Sequence, residues 1–556
     1  DESSQTYGEL MFITAEEDSD AVLDVGDRLV ALNSSKVIAT LNAGTIERVR
    51  GTDLILNEED TNGHGTAVCG ILAGGTPGVN RFCGVAPDAE VIVGNFFSDV
   101  SLATLLTWAK ARGANVVLYE GADFVFVPLD GSTNEELLLD AAADSMLQVT
   151  PAGNLCRGRK HAQLTFDSLE VSKILTFFAP NTYGGATLRY MWETLLWRPS
   201  SNNITFSLTI PSGTTATLLG NGTYQTFGSY LVFSQRTTSP RGTAEFDIQV
   251  YREAGVGGVW VLTATNGTAS PQEVNAYLAD NVTSWAYGAE FTNCLSTDKT
   301  VCWPATADSA FTVASYSTRG YSGYSGVGSG SVQPGELSEF SSRGKRVDGV
   351  SVMEIAAPGN YDVYAPRSQY SSGATFGGYR QFSGTSAAGP HVAAGAAIVL
   401  QSSPDCTPRD VKERLCASSA RDAFTGPDYN DSWGFGKIRI LDAVAPLITV
   451  AETHESPPAR GRLLKQNFPN PFNPSTTVHY VLPGVRERRS FFMRVFDSQG
   501  RLVRTVCESE WGPQATAGTV MWDGTDNRGR PVSSGVYFLR LDAGLASSTV
   551  KAVLLR

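Results

Sequence analysis

The sequence predicts an α/β protein on a parallel sheet with helices on both faces, joined by two all-β sandwich domains, one inserted and one C-terminal. Three observations predict it. Apolar runs and amphipathic segments alternate from about residue 35 to 155, and this character returns after a Gly/Ser/Tyr-rich loop at 315 to 333. Short alternating strands divided by Gly, Ser, Asn and Thr fill 162 to 290. A second set of such strands follows the polar, Pro-bearing stretch AETHESPPARGR.

Taken in order, KVIATLNAG (36 to 44) is a short buried strand that breaks into a small-residue turn, and AEVIVGNF (89 to 96) is a strand. SLATLLTWAKARG (101 to 113) keeps its apolar residues on one helical face and stops at Gly113. ANVVLYEG is the next strand, NEELLLDAAADSM a helix, and LQVTPAGN a strand leaving into a turn. Strand then helix, repeated, implies right-handed crossovers and a parallel sheet, whose sites lie at the carboxyl ends of the strands. In the insertion, NITFSLTI, YLVFSQR, AEFDIQVYRE and GVWVLTATNG alternate with the period of a half-buried strand. Beyond the linker, TTVHYVLP, FFMRVFD, GTVMWDG and GVYFLRL do the same, with DSQG and DNRG as hairpin turns. The expected division is 1–161 and 291–447 for the α/β part, 162–290 for the insertion, 448–462 for the linker and 463–556 for the C-terminal sandwich.

The bulk properties exclude several classes. A formal charge of −13 over 556 residues, with no basic run, argues against a nucleic-acid partner. No run of apolar residues is long enough to span a bilayer. The chain opens on Asp1 rather than Met, the expectation being a processed form or a fragment. Eight cysteines are too sparse for a disulfide scaffold, but Cys294/Cys302 and Cys406/Cys416 would close small loops if oxidised, which favours an exported protein.

Three blocks carry chemistry. NGHGTAVCGILAGG sets His64 between glycines ahead of an apolar helix, and FSGTSAAGPHVAAGAAIVL sets Ser386 in a Gly turn at the start of a small-residue helix. The free N–H groups of that helix start suit an oxyanion forming beside the serine. TPAGN ends a strand on Asn154, whose amide supplies a second donor. Each block alone has an ordinary structural explanation as a turn or a cap. Together, and in this order, HGTAVCG, PAGN and GTSAAGPHVAAG resemble the subtilisin-like (subtilase) serine peptidases. GVAPDAEV, PATADSAFTVASY, EFSSRG, AAPG and WGFGKI match as well.

The resemblance implies a subtilisin-like fold and peptide hydrolysis through an acyl-enzyme on Ser386. His64 would be the general base, Asn154 and the Ser386 N–H the oxyanion donors, and His391 a structural histidine. A serine hydroxyl is inert near neutral pH until a base takes its proton, so the chemistry agrees with these roles. Protein or peptide substrates follow, and no organic cofactor. Structural calcium is common in the family, but no local oxygen-ligand motif places it here.

The family also has an aspartate at the end of the first strand, and two stretches compete for it. KVIATLNAG is the better strand but offers Asn42, only 22 residues before His64; SDAVLDVGD offers a real acid, Asp24, on a poorer strand. Asp24 is the preferred catalytic acid, with Asn42, and then Asp27 or Asp53, as alternatives. At VLYEG, where the family pairs backbone with extended substrate, Gly121 would border the pocket. Glu120 would either line it, favouring basic or polar substrate residues, or face solvent.

The insertion resembles jelly-roll or Ig-like domains of some bacterial subtilases. The tail, from QNFPNPFNPST to GRPVSSGVYFLRL, resembles type IX secretion sorting domains and FlgD-like Ig domains. That implies a secreted or cell-surface bacterial protein whose C-terminal domain meets the secretion machinery or the cell surface. The sequence leaves oligomeric state open.

Overall fold

The computed structural model describes residues 12–15, 28–31, 36–42, 46–50, 60, 62–75, 80, 82–95, 100–167, 171–201, 203–268, 270–320, 332–368, 370–371 and 378–444. Toward the C-terminus it describes 464, 467, 469–470, 472–482, 489–497, 501–511, 516–543 and 546–555. Two compact units divide the chain, Asp1–Ala451 and Glu452–Arg556.

In the first unit the strands and helices that frame the site run β1 (Val37–Asn42), β2 (Ile46–Val49), α1 (His64–Ala73), β3 (Val91–Gly94), α2 (Leu102–Ala111), β4 (Val116–Leu118), α3 (Asn134–Ala142) and β5 (Leu147–Pro151). After the insertion come β6 (Phe311–Tyr316), β7 (Met353–Pro358), β8 (Tyr364–Pro366), β9 (Tyr379–Gln381), α4 (Thr385–Ser402), α5 (Pro408–Ala417) and α6 (Ile440–Val444). Strands β7, β6, β5 and β4 pair in that order, all parallel. A separate group orders β2, β1, β3, with β1 and β3 parallel.

β2 departs from the all-parallel expectation by pairing antiparallel to β1. Its cause is chain length: the link from Ala43 to Thr45 is far below the dozen or so residues that a parallel crossover takes.

The sheet is covered on both faces, and every residue of β5 is buried, Gln148 and Thr150 included. On one face α4 lies over Val149, Phe311, Val313 and Ile355. Its small residues, among them Ala387, Ala388, Gly389 and Ala393, let backbone approach sheet closely. α1 packs beside it through Ala67, Val68 and Ile71. The other face carries α2 and α3 through Leu102, Leu106 and Leu139. The helix starts are fixed locally: the Ser101 hydroxyl accepts from the Thr104 N–H at 3.2 Å, and Thr133/Glu136 and Thr407/Asp410 form reciprocal capping boxes.

Between β5 and β6 stand two antiparallel sheets. One orders Asn221–Phe227, Tyr230–Thr238, Ala244–Tyr251, Tyr190–Trp197, Gln272–Asp280 and His161–Phe166; the other orders Thr215–Thr217, Ile204–Thr209, Gly258–Asn266, Ser172–Ala179 and Glu290–Phe291. Their inner faces share one core around Trp197, Phe206, Phe246 and Trp260. By strand alternation Glu193 points inward with Met191 and Leu195, and it is 2 % exposed.

The second unit is also all β. Leu502–Trp511, Arg489–Asp497, Gly535–Ala543 and Ala546–Leu554 form one antiparallel sheet, and Thr476–Leu482 pairs with Thr516–Trp522. Its core centres on Trp522, Phe491 and Leu539.

All eight cysteines are free thiols, so neither anticipated pair is joined. Cys302 is wholly buried against the Gly153 turn while Cys294 is exposed, which separates the two sulfurs by environment. Among the described residues no helix is long and apolar enough to cross a membrane, and no cluster of three or more His, Cys, Asp or Glu side chains offers a metal site.

Candidate active site

The carboxyl end of β5 leads into Gly153 and Asn154. Gly153 has φ +101°, and a Cβ there would stand 2.3 Å from the Cys302 sulfur, so the position requires glycine twice over. Its N–H donates to the Thr385 hydroxyl at 3.1 Å, which ties this turn to the start of α4. The Asn154 Oδ1 accepts from the Thr385 N–H at 2.9 Å and from its hydroxyl at 3.2 Å. With Oδ1 so held, the amide nitrogen is turned towards Gly384, where it would lie 3.4 Å from a Cβ. Gly384, at φ +120°, donates its N–H to the carbonyl of Gly359 at the end of AAPG, 2.9 Å away. Ser386 is therefore the second residue of α4, where backbone N–H groups are unclaimed by the helix. Pro390, inside α4, has no N–H to return to the Ser386 carbonyl.

His64 opens α1 after Gly63, itself left-handed at φ +76°. A residue that the sequence reading passed over holds this corner: Asp60 accepts from the Gly63 N–H (2.6 Å), the Thr66 N–H (2.9 Å) and the Thr66 hydroxyl (2.7 Å). The signal was its place four residues before the histidine, where an acid can cap the coming helix. Burial pushes the Asp60 carboxyl up, but the bonds from Thr66 and Gly63 outweigh it and hold it below its usual value. The His64 ring meets the edge of Phe382 at 5.3 Å. Arg380 donates to the Gly63 carbonyl at 2.9 Å and lies over Phe382. Burial, and then the Arg380 charge, push the His64 pKa down against the pull of Asp60, so the imidazole is neutral near neutral pH.

Asn42 ends β1, where its Oδ1 accepts from the Asn95 amide at 2.9 Å. Among the described residues neither His64 ring nitrogen has a hydrogen-bond partner, so Asn42 and His64 are not joined. Asp24, Asp27 and Asp53 lie outside the described residues.

Glu120 is turned inward, so of the two alternatives its carboxylate does not face solvent. Side chains alternate along a strand, and Tyr119 stacks edge-on against Trp303 on the α2/α3 face. Leu118 and Glu120 consequently point at α1 and α4. Both Glu120 oxygens are buried without a hydrogen bond of ordinary geometry, and the Ser386 hydroxyl is the polar group beside them. Burial pushes this carboxyl up to about 8, with Ser386 acting against the rise. Gly121 follows on the same edge, under the Tyr119 ring. On the Asn154 side of the Ser386 turn, a cavity of about 220 Å³ is lined by Asn154, Arg157, Trp285, Tyr287, Phe340 and Gly384. His391 is half-buried, with its Nδ1 2.8 Å from the Ala387 carbonyl.

A model of the subtilase family (peptidase S8) matches residues 42–123 and 232–436, just over half of the chain. The chain is a subtilase. Members of that family are serine peptidases, hydrolases that act on proteins or peptides and need no organic cofactor. The match begins at Asn42 and leaves Asp24 outside it. Among solved structures, the subtilase resembles the CspB protease of Clostridium perfringens with a TM-score of 0.59 at 17 % identity, over 76 % of this chain and 90 % of that one. Fervidolysin from Fervidobacterium pennivorans, a keratinolytic enzyme related to subtilisin, aligns at a TM-score of 0.37 and 16 % identity, over 91 % of this chain and 49 % of that one.

Proposed function

We propose that this subtilase is a secreted serine endopeptidase that cleaves peptide bonds through an acyl-enzyme on Ser386. The observation that carries the reading is the Asn154–Thr385–Ser386 corner: Oδ1 is held by Thr385, so the amide N–H groups face the turn that bears the nucleophile. As Ser386 Oγ adds to the scissile carbonyl, the oxyanion takes its hydrogen bonds from Asn154 Nδ2 and the Ser386 N–H. His64, neutral and at the start of α1, accepts the serine proton and returns it to the leaving amine. The cavity beside Asn154 takes the substrate side chain on the acyl side of the bond. Export rests on the resemblance of the C-terminal unit to sorting domains.

We place the family's acid position at Asn42, supported by its seat at the end of β1 and by the start of the family match. An amide there carries no charge to stabilise imidazolium, which favours a slow enzyme; the trypsin exchange of this kind costs about 10⁴ in rate. The Asn42–Asn95 bond also supports a second reading, an inactive subtilase fold that binds at a surface through its β-domains.

Labelling with a serine-reactive fluorophosphonate tests both. Wild type is expected to label and Ser386→Ala not to, while Asn42→Asp raises the rate at least about tenfold and Asp24→Ala leaves it unchanged. Absence of wild-type labelling at every pH would overturn the peptidase reading in favour of the binding protein.

A further inference from the structure

The scheme above, on which this inference rests, gives the charge that forms on His64 no hydrogen-bonded carboxylate among the described residues, only the longer-range pull of Asp60, and sets the Arg380 guanidinium near it. A second carboxylate, that of Glu120, lies beside the serine helix. Glu120 reaches α4 one turn beyond Ser386: its Oε1 would stand 3.1 Å from a Cβ on Gly389, so the carboxylate lies close against the helix backbone there. Leu118 and Pro151 would stand 3.0 and 3.1 Å from the same Cβ, so they wall the carboxylate on that side. A buried acid with two oxygens unclaimed costs stability, and a merely structural position would be occupied more favourably by an apolar or small side chain.

We propose that Glu120 is a second proton acceptor for Ser386, a catalytic residue that serves when ionised alongside His64. The Oγ–H bond then breaks towards Glu120 while Oγ bonds to the scissile carbon and the carbonyl electron pair moves onto oxygen at Asn154. On collapse the C–N bond breaks, and the departing nitrogen, attached to the carbon that Oγ has joined, takes the proton back. Water reverses the sequence, Glu120 taking its proton and returning one to Oγ.

The groups facing Glu120 leave its own titration to decide the pH range. From α1 it meets Cys69, whose thiol burial pushes up to about 11, with Glu120 and then Asp60 adding to the rise, so that it stays neutral. From α4 it meets Ser386 and the Gly389 backbone, and from β5 Pro151. Buried as it is, Glu120 ionises only around pH 8.

Fluorophosphonate labelling reads this step alone, because fluoride leaves without needing a proton. Wild type is expected to show a rise in labelling rate with a midpoint near 8, beyond the limb set by His64. Glu120→Gln, isosteric with the neutral acid, should lose that rise and fall about 100-fold at pH 9. His64→Ala should keep the alkaline rise. Thermal unfolding midpoints of both variants matching wild type at pH 7 exclude misfolding. A wild-type rate flat from pH 7 to 9.5, Glu120→Gln labelling like wild type at pH 9, or His64→Ala losing the rise would each overturn the proposal while leaving the peptidase reading standing. A wild type that never labels overturns both.

Discussion

At the scale of single residues, the donor geometry at Asn154 makes the sharpest prediction. On the proposed mechanism Asn154→Ala removes one oxyanion donor, and it is expected to lower turnover of a peptide substrate by about 10² to 10³ at nearly unchanged KM, measured under steady state. Gly153→Ala should instead fail through the fold: left-handed backbone and a Cβ 2.3 Å from the Cys302 sulfur together cost about 2 to 4 kcal/mol in denaturant unfolding. The turns that hold these residues were legible in the sequence, because glycines and small residues frame each of them. Glu120 was not, since the facing of a strand residue depends on which helices cover each side, and that is fixed by α1 and α4 from either end of the chain. Asp60 was missed for the opposite reason. Its signal was local, but an acid ahead of a helix more often caps it than serves a site, and only the fold sets this cap beside His64.

At the scale of elements, α1 depends on an acid three residues before its cap. Asp60→Ala unties the Gly63 and Thr66 N–H groups and is expected to cost about 1 to 2 kcal/mol in denaturant unfolding. It should also slow fluorophosphonate labelling, because the start of α1 carries His64. The pH dependence has a definite sign: the carboxyl is held below its unfolded value, so its contribution is complete above about pH 4 and is lost as pH falls through the folded value. Helices and parallel strands were readable from periodicity and caps, with α2, α3 and β5 all falling inside the stretches that predicted them. The antiparallel β2 was not, because its direction follows from the brevity of the Ala43–Thr45 link rather than from its own residues.

At the scale of the whole molecule, buried acids set how stability answers to pH. Burial pushes Glu193, in the core between the two antiparallel sheets, up to about 8, as it does Glu120. A carboxyl raised in the folded state stabilises fully below its unfolded value and loses that contribution as pH rises through about 8. Glu193→Gln should therefore gain on wild type between pH 5 and 9 by on the order of 3 to 5 kcal/mol, read as a widening difference in denaturant midpoints. The two antiparallel sheets also meet the site at their roots. The chain leaves Asn154 and enters its first antiparallel strand at His161, and on its return Cys302 donates to the Ala152 carbonyl at 2.9 Å while Trp303 and Asp123 exchange backbone bonds at 2.9 and 3.0 Å. The returning segment is thus a rail alongside both the Gly153–Asn154 turn and the edge that follows Gly121. An engineer who wished to shorten this protein could trim the far loops of the sheets freely, but would have to leave residues 300 to 304 in place, because there the graft and the stock share one grain.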